Sequence, residues 1–211
     1  MKIDKETLVY GSFSSNPGNN GCIFFNNAFE QYNINAIYKS FYSTEIEKLI
    51  ISVKHLNFSG FALSMPLKNG IVKYLDNIES AALEIGAVNT VINNNGILTG
   101  YNTDWIGVKK YFELSIPNDN HITILGNGGF SKAVQYACNK LNMTYDIITR
   151  ENWYKIPELD GVVFNATPVN IPVNIETKYR LIDGIPFTET GKIIANLQAK
   201  EQFYLYTGIK I

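Results

Sequence analysis

The chain is 211 residues long, and at about 150 residues per domain it has room for one large or two small domains and no more. Hydrophobic residues make up 45% and charged residues 18%, enough apolar surface for a core and too little charge for intrinsic disorder. A formal charge of -1 gives no general attraction to nucleic acid or anionic membrane, and two cysteines and two histidines, each pair far apart, supply no disulfide framework, zinc ribbon or Ser-His-Asp triad.

No metal is therefore expected, and the expected partner is a small molecule. Residues 1–11 hold Asp4, Lys5 and Glu6 and no apolar run of the signal-peptide kind, and nowhere do about 18 apolar residues follow one another. The expectation is a cytoplasmic protein in a reducing compartment.

In chain order, the periodicity predicts a strand over 8–12, a helix over 22–31, a strand over 36–41 and a helix over 43–54. A strand over 60–65 follows, stopped by Pro66, and then helical stretches over 70–75 and 78–84. Apolar runs at 88–92 and 97–101, joined by Asn93-Asn94-Asn95-Gly96, predict a β-hairpin. Next comes a helix over 105–114 capped by Thr103 or Asp104, and Pro117-Asn118-Asp119-Asn120 marks a domain boundary. Beyond it, strands over 121–125, 146–149, 161–165 and 178–183 combine with helices over 130–141 and 195–206. Strands alternating with helices define an α/β class with parallel sheets.

Gly126-Asn127-Gly128-Gly129-Phe130-Ser131 follows a strand and opens a helix, the context a dinucleotide-binding loop requires. Gly126 permits the tight turn, Gly128 lets the backbone approach a pyrophosphate, and the helix start offers unpaired N–H groups. A turn whose glycines serve packing alone fits the same pattern. At the end of the next strand, where an acid usually holds the ribose of NAD, the chain reads Thr149-Arg150-Glu151. Arg150 either faces the 2′-phosphate of NADP or is a solvated surface residue, and Glu151 beside it opposes the first role.

Three segments go beyond generic motifs: Ser64-Met65-Pro66-Leu67-Lys68, Gly86-Ala87-Val88-Asn89-Thr90-Val91, and Gly100-Tyr101-Asn102-Thr103-Asp104-Trp105. In order and spacing they resemble the shikimate dehydrogenase family. So do the glycine loop, Asn165-Ala166-Thr167-Pro168, and the closing Gln198-Ala199-Lys200-Glu201-Gln202-Phe203 with Tyr206-Thr207-Gly208. The resemblance implies two α/β domains with the pocket between them. These are a substrate domain over 1–116, to which a last helix over 195–211 returns, and a trimmed Rossmann-like NADP domain over 117–194. It implies reversible hydride transfer between NADP(H) and 3-dehydroshikimate, with NAD(H) left open, in aromatic amino-acid biosynthesis. By matching position, Lys68 and Asp104 are the catalytic pair, and Ser64, Asn89 and Gln198 contact the substrate. The cofactor falls to Gly126, Asn127, Gly128, Gly129, Phe130, Arg150, Asn165 and Thr167.

The side chains suit that chemistry. Hydride transfer to a carbonyl leaves an alkoxide that must gain a proton; an ammonium stabilises or protonates it, and a carboxylate orients the ammonium. Away from the family pattern, Asp104 reads as an N-cap and Lys68 as a surface charge.

The chain also departs from the family. Asn19 and Gly21 stand where the family carries two serines that hold the substrate carboxylate, and Cys22 stands in place of a proline. Ser14 or Ser15 substitutes only if that loop is rearranged. Ala62 replaces an asparagine, Ser64 a threonine, and only residues 151–160 separate the second and third strands of the cofactor half, too few for a crossover helix with its loops. Two other readings follow: an oxidoreductase acting on a modified cyclic hydroxy acid, and a ligand-binding homologue without catalysis.

Overall fold

The computed structural model describes residues 3–171, 173 and 176–211; the first two residues of the N-terminal segment lie outside that range. The chain divides into two compact units, residues 1–103 with 202–211, and residues 104–201.

The first unit is built on a six-stranded sheet. In chain order its elements are β1 (Leu8–Ser14), α1 (Asn20–Gln31), β2 (Ala36–Tyr42), α2 (Ile46–His55), β3 (Phe58–Leu63), α3 (Leu67–Gly70) running into a 3-10 turn (Ile71–Tyr74), β4 (Asn77–Ile78), α4 (Ser80–Ile85), β5 (Thr90–Asn94) and β6 (Ile97–Tyr101). The strand order is β2-β1-β3-β5-β6-β4. β2, β1 and β3 run parallel, and β5 joins β3 antiparallel as the first arm of the predicted hairpin. Alternation along the strands sorts side chains to two faces. Phe13, Phe61, Leu63, Val91 and Leu98 turn to Leu49 and Val53 of α2, Leu67 of α3 and Ala82 of α4. Tyr10 and Tyr38 turn the other way, to Phe25 and Phe29 of α1.

Prediction and structure differ at residues 70–84. Asp76 pairs with β6 twice, its N–H donating to the Leu98 carbonyl at 2.9 Å and its carboxylate accepting from the Leu98 N–H at 2.7 Å. That pairing pulls the chain into β4 and ends the helical run. α4 then starts under a cap from Glu79, whose carboxylate accepts from the Ala82 N–H at 3.2 Å.

The second unit holds α5 (Asp104–Ser115), β7 (His121–Leu125), α6 (Gly129–Lys140), β8 (Thr144–Ile148), a 3-10 stretch (Arg150–Glu158), β9 (Gly161–Asn165), β10 (Tyr179–Asp183) and the greater part of α7 (Glu189–Thr207). Its sheet has four parallel strands in the order β10-β9-β7-β8. Ile122, Ile124, Phe164 and Ile182 pack on one face with Val108 and Phe112 of α5, Val134 and Ala137 of α6 and Ile194 of α7. Leu125, Val163 and Tyr179 face the other way, where Trp153, Ile156 and Ile171 cover them. No crossover helix joins β8 to β9, as the short interval predicts. Pro157 lacks an amide donor and Asn152 is non-helical at φ -119°, so the link is two short turns.

The expected domain boundaries, 116/117 and 194/195, do not coincide with the division of the structure. α5 lies wholly in the second unit because Val108, Tyr111 and Phe112 complete that unit's core. α7 starts six residues before its predicted first turn, with the Thr188 hydroxyl accepting from the Gly191 N–H at 3.1 Å. It gives residues up to Glu201 to the second unit and those from Gln202 to the first, where Phe203 and Tyr206 reach the aromatic rings of α1 and β1. The last helix thus returns to the first unit, but only by its final turns.

Candidate active site

In the first unit, residues of the three signature segments up to Thr103 meet around one buried asparagine. Asn89, with no solvent exposure, precedes β5; its N–H donates to the Tyr101 carbonyl at 3.1 Å and its carbonyl accepts from Leu63 at 2.8 Å. Its side chain then ties the end of the hairpin. The amide donates to the Thr103 hydroxyl at 3.0 Å, and the side-chain oxygen accepts from the Thr103 N–H at 2.8 Å and the Thr90 hydroxyl at 2.9 Å. Gln202 closes the network by donating to the Thr90 hydroxyl at 2.7 Å. Asn102 donates to the Ala87 carbonyl at 2.9 Å.

Such a network holds backbone as well as side chains. Lys68 sits half-buried on α3, and its carbonyl accepts from the Val88 N–H at 2.9 Å, so the lysine's turn is fastened one residue before Asn89. Asp104, 2% exposed, is the residue after Thr103 and the first of α5. Ser64 lies exposed just beyond β3, with its N–H donating to the Phe13 carbonyl at 3.0 Å. Gln198 is half-buried on α7 in the second unit and packs against α5 at Gly107. Gln202, one turn later, was not predicted as a site residue, nor was Thr90. The signal for both was present: a threonine inside an apolar strand, and a second glutamine four positions from the first on one helix face.

In the second unit the glycine loop leaves β7 at Gly126, whose φ of +99° disfavours any residue with a Cβ; a Cβ there would also meet Thr167 Cγ2 at 2.7 Å. At Gly128, by contrast, a Cβ would meet nothing within 4 Å. Packing therefore explains Gly126 and does not explain Gly128. A bare backbone beside open space at a helix start suits the approach of a pyrophosphate, so the loop fits a dinucleotide. Ser131 is fully buried and donates to the Gly126 carbonyl at 2.7 Å, fastening the first turn of α6 to the loop.

Other expected cofactor contacts are used inside the protein. The Asn165 amide donates to the Val169 carbonyl at 2.8 Å and the Asp183 carboxylate at 3.2 Å, and its oxygen accepts from the Thr167 N–H at 3.0 Å and hydroxyl at 2.7 Å. Both donors and both acceptor positions are taken, and the Thr167 hydroxyl also receives the Val169 N–H at 3.2 Å. The side chains of Asn165 and Thr167, both expected at the cofactor, build the turn beneath the glycine loop. Phe130 is likewise partly packed into the core, 5.9 Å from the Phe164 ring. Asn127 and Arg150 are exposed, Arg150 two positions after β8 at the start of the 3-10 stretch.

Among the described residues there is no cluster of metal ligands, and no helix is long and apolar enough to cross a membrane. Cys138 is no nucleophile, because burial pushes its thiol up to about 12.

Sequence and structure comparisons find relatives of this chain. The model of the shikimate dehydrogenase substrate-binding domain matches residues 21–91. A shikimate dehydrogenase-like protein of Haemophilus influenzae is 40% identical over 133 residues, 63% of this chain and 49% of that protein. The shikimate dehydrogenase (NADP(+)) of Thermococcus kodakarensis is 32% identical over 192 residues, 80% of this chain and 70% of that one. The crystal structure of shikimate dehydrogenase from Aquifex aeolicus superposes with a TM-score of 0.85 at 26% identity, covering 100% of this chain and 95% of that chain. The fold is thus that of a substrate domain joined to a Rossmann-like dinucleotide domain. The chain belongs to the shikimate dehydrogenase family. In sequence it spans about half the length of the first curated relatives it matches.

Proposed function

We propose that this protein is an NADP-dependent oxidoreductase that interconverts 3-dehydroshikimate and shikimate in the cytoplasm. The observation that carries the reading is the network around Asn89, which fastens the Lys68 turn and Thr103, the residue before Asp104, in the first unit, while the second unit presents the open backbone of Gly128. Relatives named shikimate dehydrogenase (NADP(+)) support the choice of reaction and cofactor.

NADP(H), when bound, supplies or accepts the hydride. Gly126, Asn127, Gly128 and Gly129 with the first N–H groups of α6 would hold its pyrophosphate, and Arg150 would face the 2′-phosphate. Lys68 stabilises the oxyanion formed at the reduced carbonyl and gives it a proton, with Asp104 as the carboxylate of the acid–base pair. Ser64 and Gln198 bind ring hydroxyls. Asn89 has most of its hydrogen-bonding capacity committed to Thr103 and Thr90, and it acts chiefly by positioning.

The test is NADP+ reduction with shikimate, followed by absorbance of the reduced nicotinamide, with NAD+ in parallel. The wild type turns over with NADP+ preferred, and Lys68→Ala loses about 10²–10⁴ in kcat. Folded protein that reduces neither cofactor contradicts the reading. A second reading, a modified cyclic hydroxy acid as substrate, is favoured by Gly21: a Cβ there would lie 3.1 Å from the Tyr38 ring, so a serine at this position fits only if that ring gives by a few tenths of an ångström. Turnover with such an acid and none with shikimate would select it.

A further inference from the structure

The α1 side of the first sheet changes character along its strands. One register row carries Tyr38, Tyr10 and Gly60 on β2, β1 and β3. Both tyrosines are buried under the rings of α1 and α7, with Phe25 stacked on Tyr38 at 4.3 Å and the Tyr206 ring tilted against Tyr10 at 4.7 Å. Two residues further toward the carboxyl ends of these parallel strands the row reads Ser40, Ser12 and Ala62, continued by Thr90 on β5. Ser40, Ser12 and Ala62 are all partly open to solvent. Ligands of α/β sheets bind beyond the carboxyl ends of the strands, and a floor of small, half-open side chains leaves room for one.

The row is also chemically equipped. The Ser12 hydroxyl donates to the Ser40 hydroxyl at 3.1 Å, and the Ser40 hydroxyl lies 3.3 Å from the Cys22 thiol in the first turn of α1. Ser12 is the hydrogen-bonding neighbour of the buried Tyr38 phenol as well. Ser12 can keep its bond to Ser40 while the Ser40 hydrogen turns from sulfur, a poor acceptor, to a better one. The oxygen of a ligand is such an acceptor. No charged side chain bonds to these three groups among the described residues, so the site suits a ring oxygen held by hydroxyls and does not suit a cation.

We propose that Ser12, Ser40 and Cys22 form the seat for one oxygen-bearing substituent of a hydroxylated cyclic acid in the first unit. This rests on the functional reading above, and names the residues that recognise the far side of the substrate. They are specificity residues, remote in sequence from Lys68, and the substituent lies against Ser40 with the Cys22 thiol at its edge.

Cys22 lets the seat be read without turnover. Cys138 is fully buried and its thiol is pushed up to about 12, so iodoacetamide labels Cys22 alone. Shikimate at ten times its dissociation constant slows alkylation roughly tenfold, measured by intact mass. In steady-state kinetics Ser40→Ala raises KM about three- to tenfold, with the effect on KM larger than on kcat, and Ser40→Thr, which keeps the hydroxyl, recovers most of the loss. Turnover of shikimate by the wild type, with Cys22 labelled equally fast in its presence and KM unchanged in Ser40→Ala, overturns the seat and leaves the function standing. Protection of Cys22 without turnover supports the seat and overturns the proposed reaction. Neither protection nor turnover overturns both.

Discussion

The two sheets are closed by different means. The first has helices against both faces, α2 to α4 on one and α1 with the end of α7 on the other. The second has α5, α6 and α7 on one face and, on the other, a 3-10 stretch and a loop that lay Trp153, Ile156 and Ile171 over the strands. Parallel strands need a crossover of at least about 10–12 residues, and the link from β8 to β9 is near that limit. A few large side chains there do the work of a helix, with less apolar area and fewer backbone bonds. The second unit should therefore be the softer one, and the one that gains most from a ligand on its glycine loop.

Asn165→Ala presses hardest on this difference. It removes four hydrogen bonds from the turn that supports the loop, and at 0.5–1.5 kcal/mol each the cost is roughly 2–4 kcal/mol once new contacts are allowed for. Hydrogen exchange should quicken in β9 and β10 and stay as in the wild type in β1 to β3. Equal loss in both sheets would mean that the units do not open separately.

Alkaline pH gives a smaller effect that sorts by unit. The Cys138 thiol titrates near 12 in the folded state against an ordinary value of 9, so the stability it contributes is complete below pH 9 and is lost as pH rises from 9 toward 12. In the first unit, burial raises Tyr10, Tyr38 and Tyr206, and their contribution declines only above pH 10. Both tryptophans, Trp105 and Trp153, lie in the second unit, so their fluorescence reports on it. Denaturant midpoints followed this way should fall from pH 9 upward, and Cys138→Ala should flatten the fall.

Tyr206→Phe tests the first unit with the least perturbation. The Tyr206 hydroxyl is buried without a hydrogen-bond partner among the described residues, while its carbonyl accepts from the Tyr10 hydroxyl at 3.1 Å. Removing the hydroxyl keeps the ring and its packing, so stability should rise by about 1 kcal/mol or stay level. A drop of that size would show that the hydroxyl has a partner in solution.

Periodicity was informative wherever one face is buried. The spans of β7 and β9 read directly from apolar runs, and the Asn93–Gly96 turn was legible because Asn-Gly suits a tight hairpin. It failed where a single polar pairing decides, as at β4, where Asp76 reaches Leu98 over 22 positions. The apolar stripe of α5 says that it packs, not on which sheet, so the sequence could not assign α5 to the second unit. In the site, Lys68, Asn89 and Asp104 were visible as a pattern, and Gly126 and Gly128 as a spacing. That Asn165 spends its side-chain bonds on its own turn and on Asp183 of β10, and that Thr90 and Gln202 complete the buried network, depends on partners that no local window contains.

The central claim is that the trimmed second unit still seats a dinucleotide. Titration with NADPH, followed by tryptophan quenching and by melting temperature, tests it most directly, with Gly126→Ala as control because of the +99° φ and the 2.7 Å approach of Thr167. The account predicts saturable quenching, a melting temperature that rises with NADPH concentration, and loss of both in Gly126→Ala. Wild-type protein whose fluorescence and melting temperature ignore NADPH at millimolar levels would contradict it.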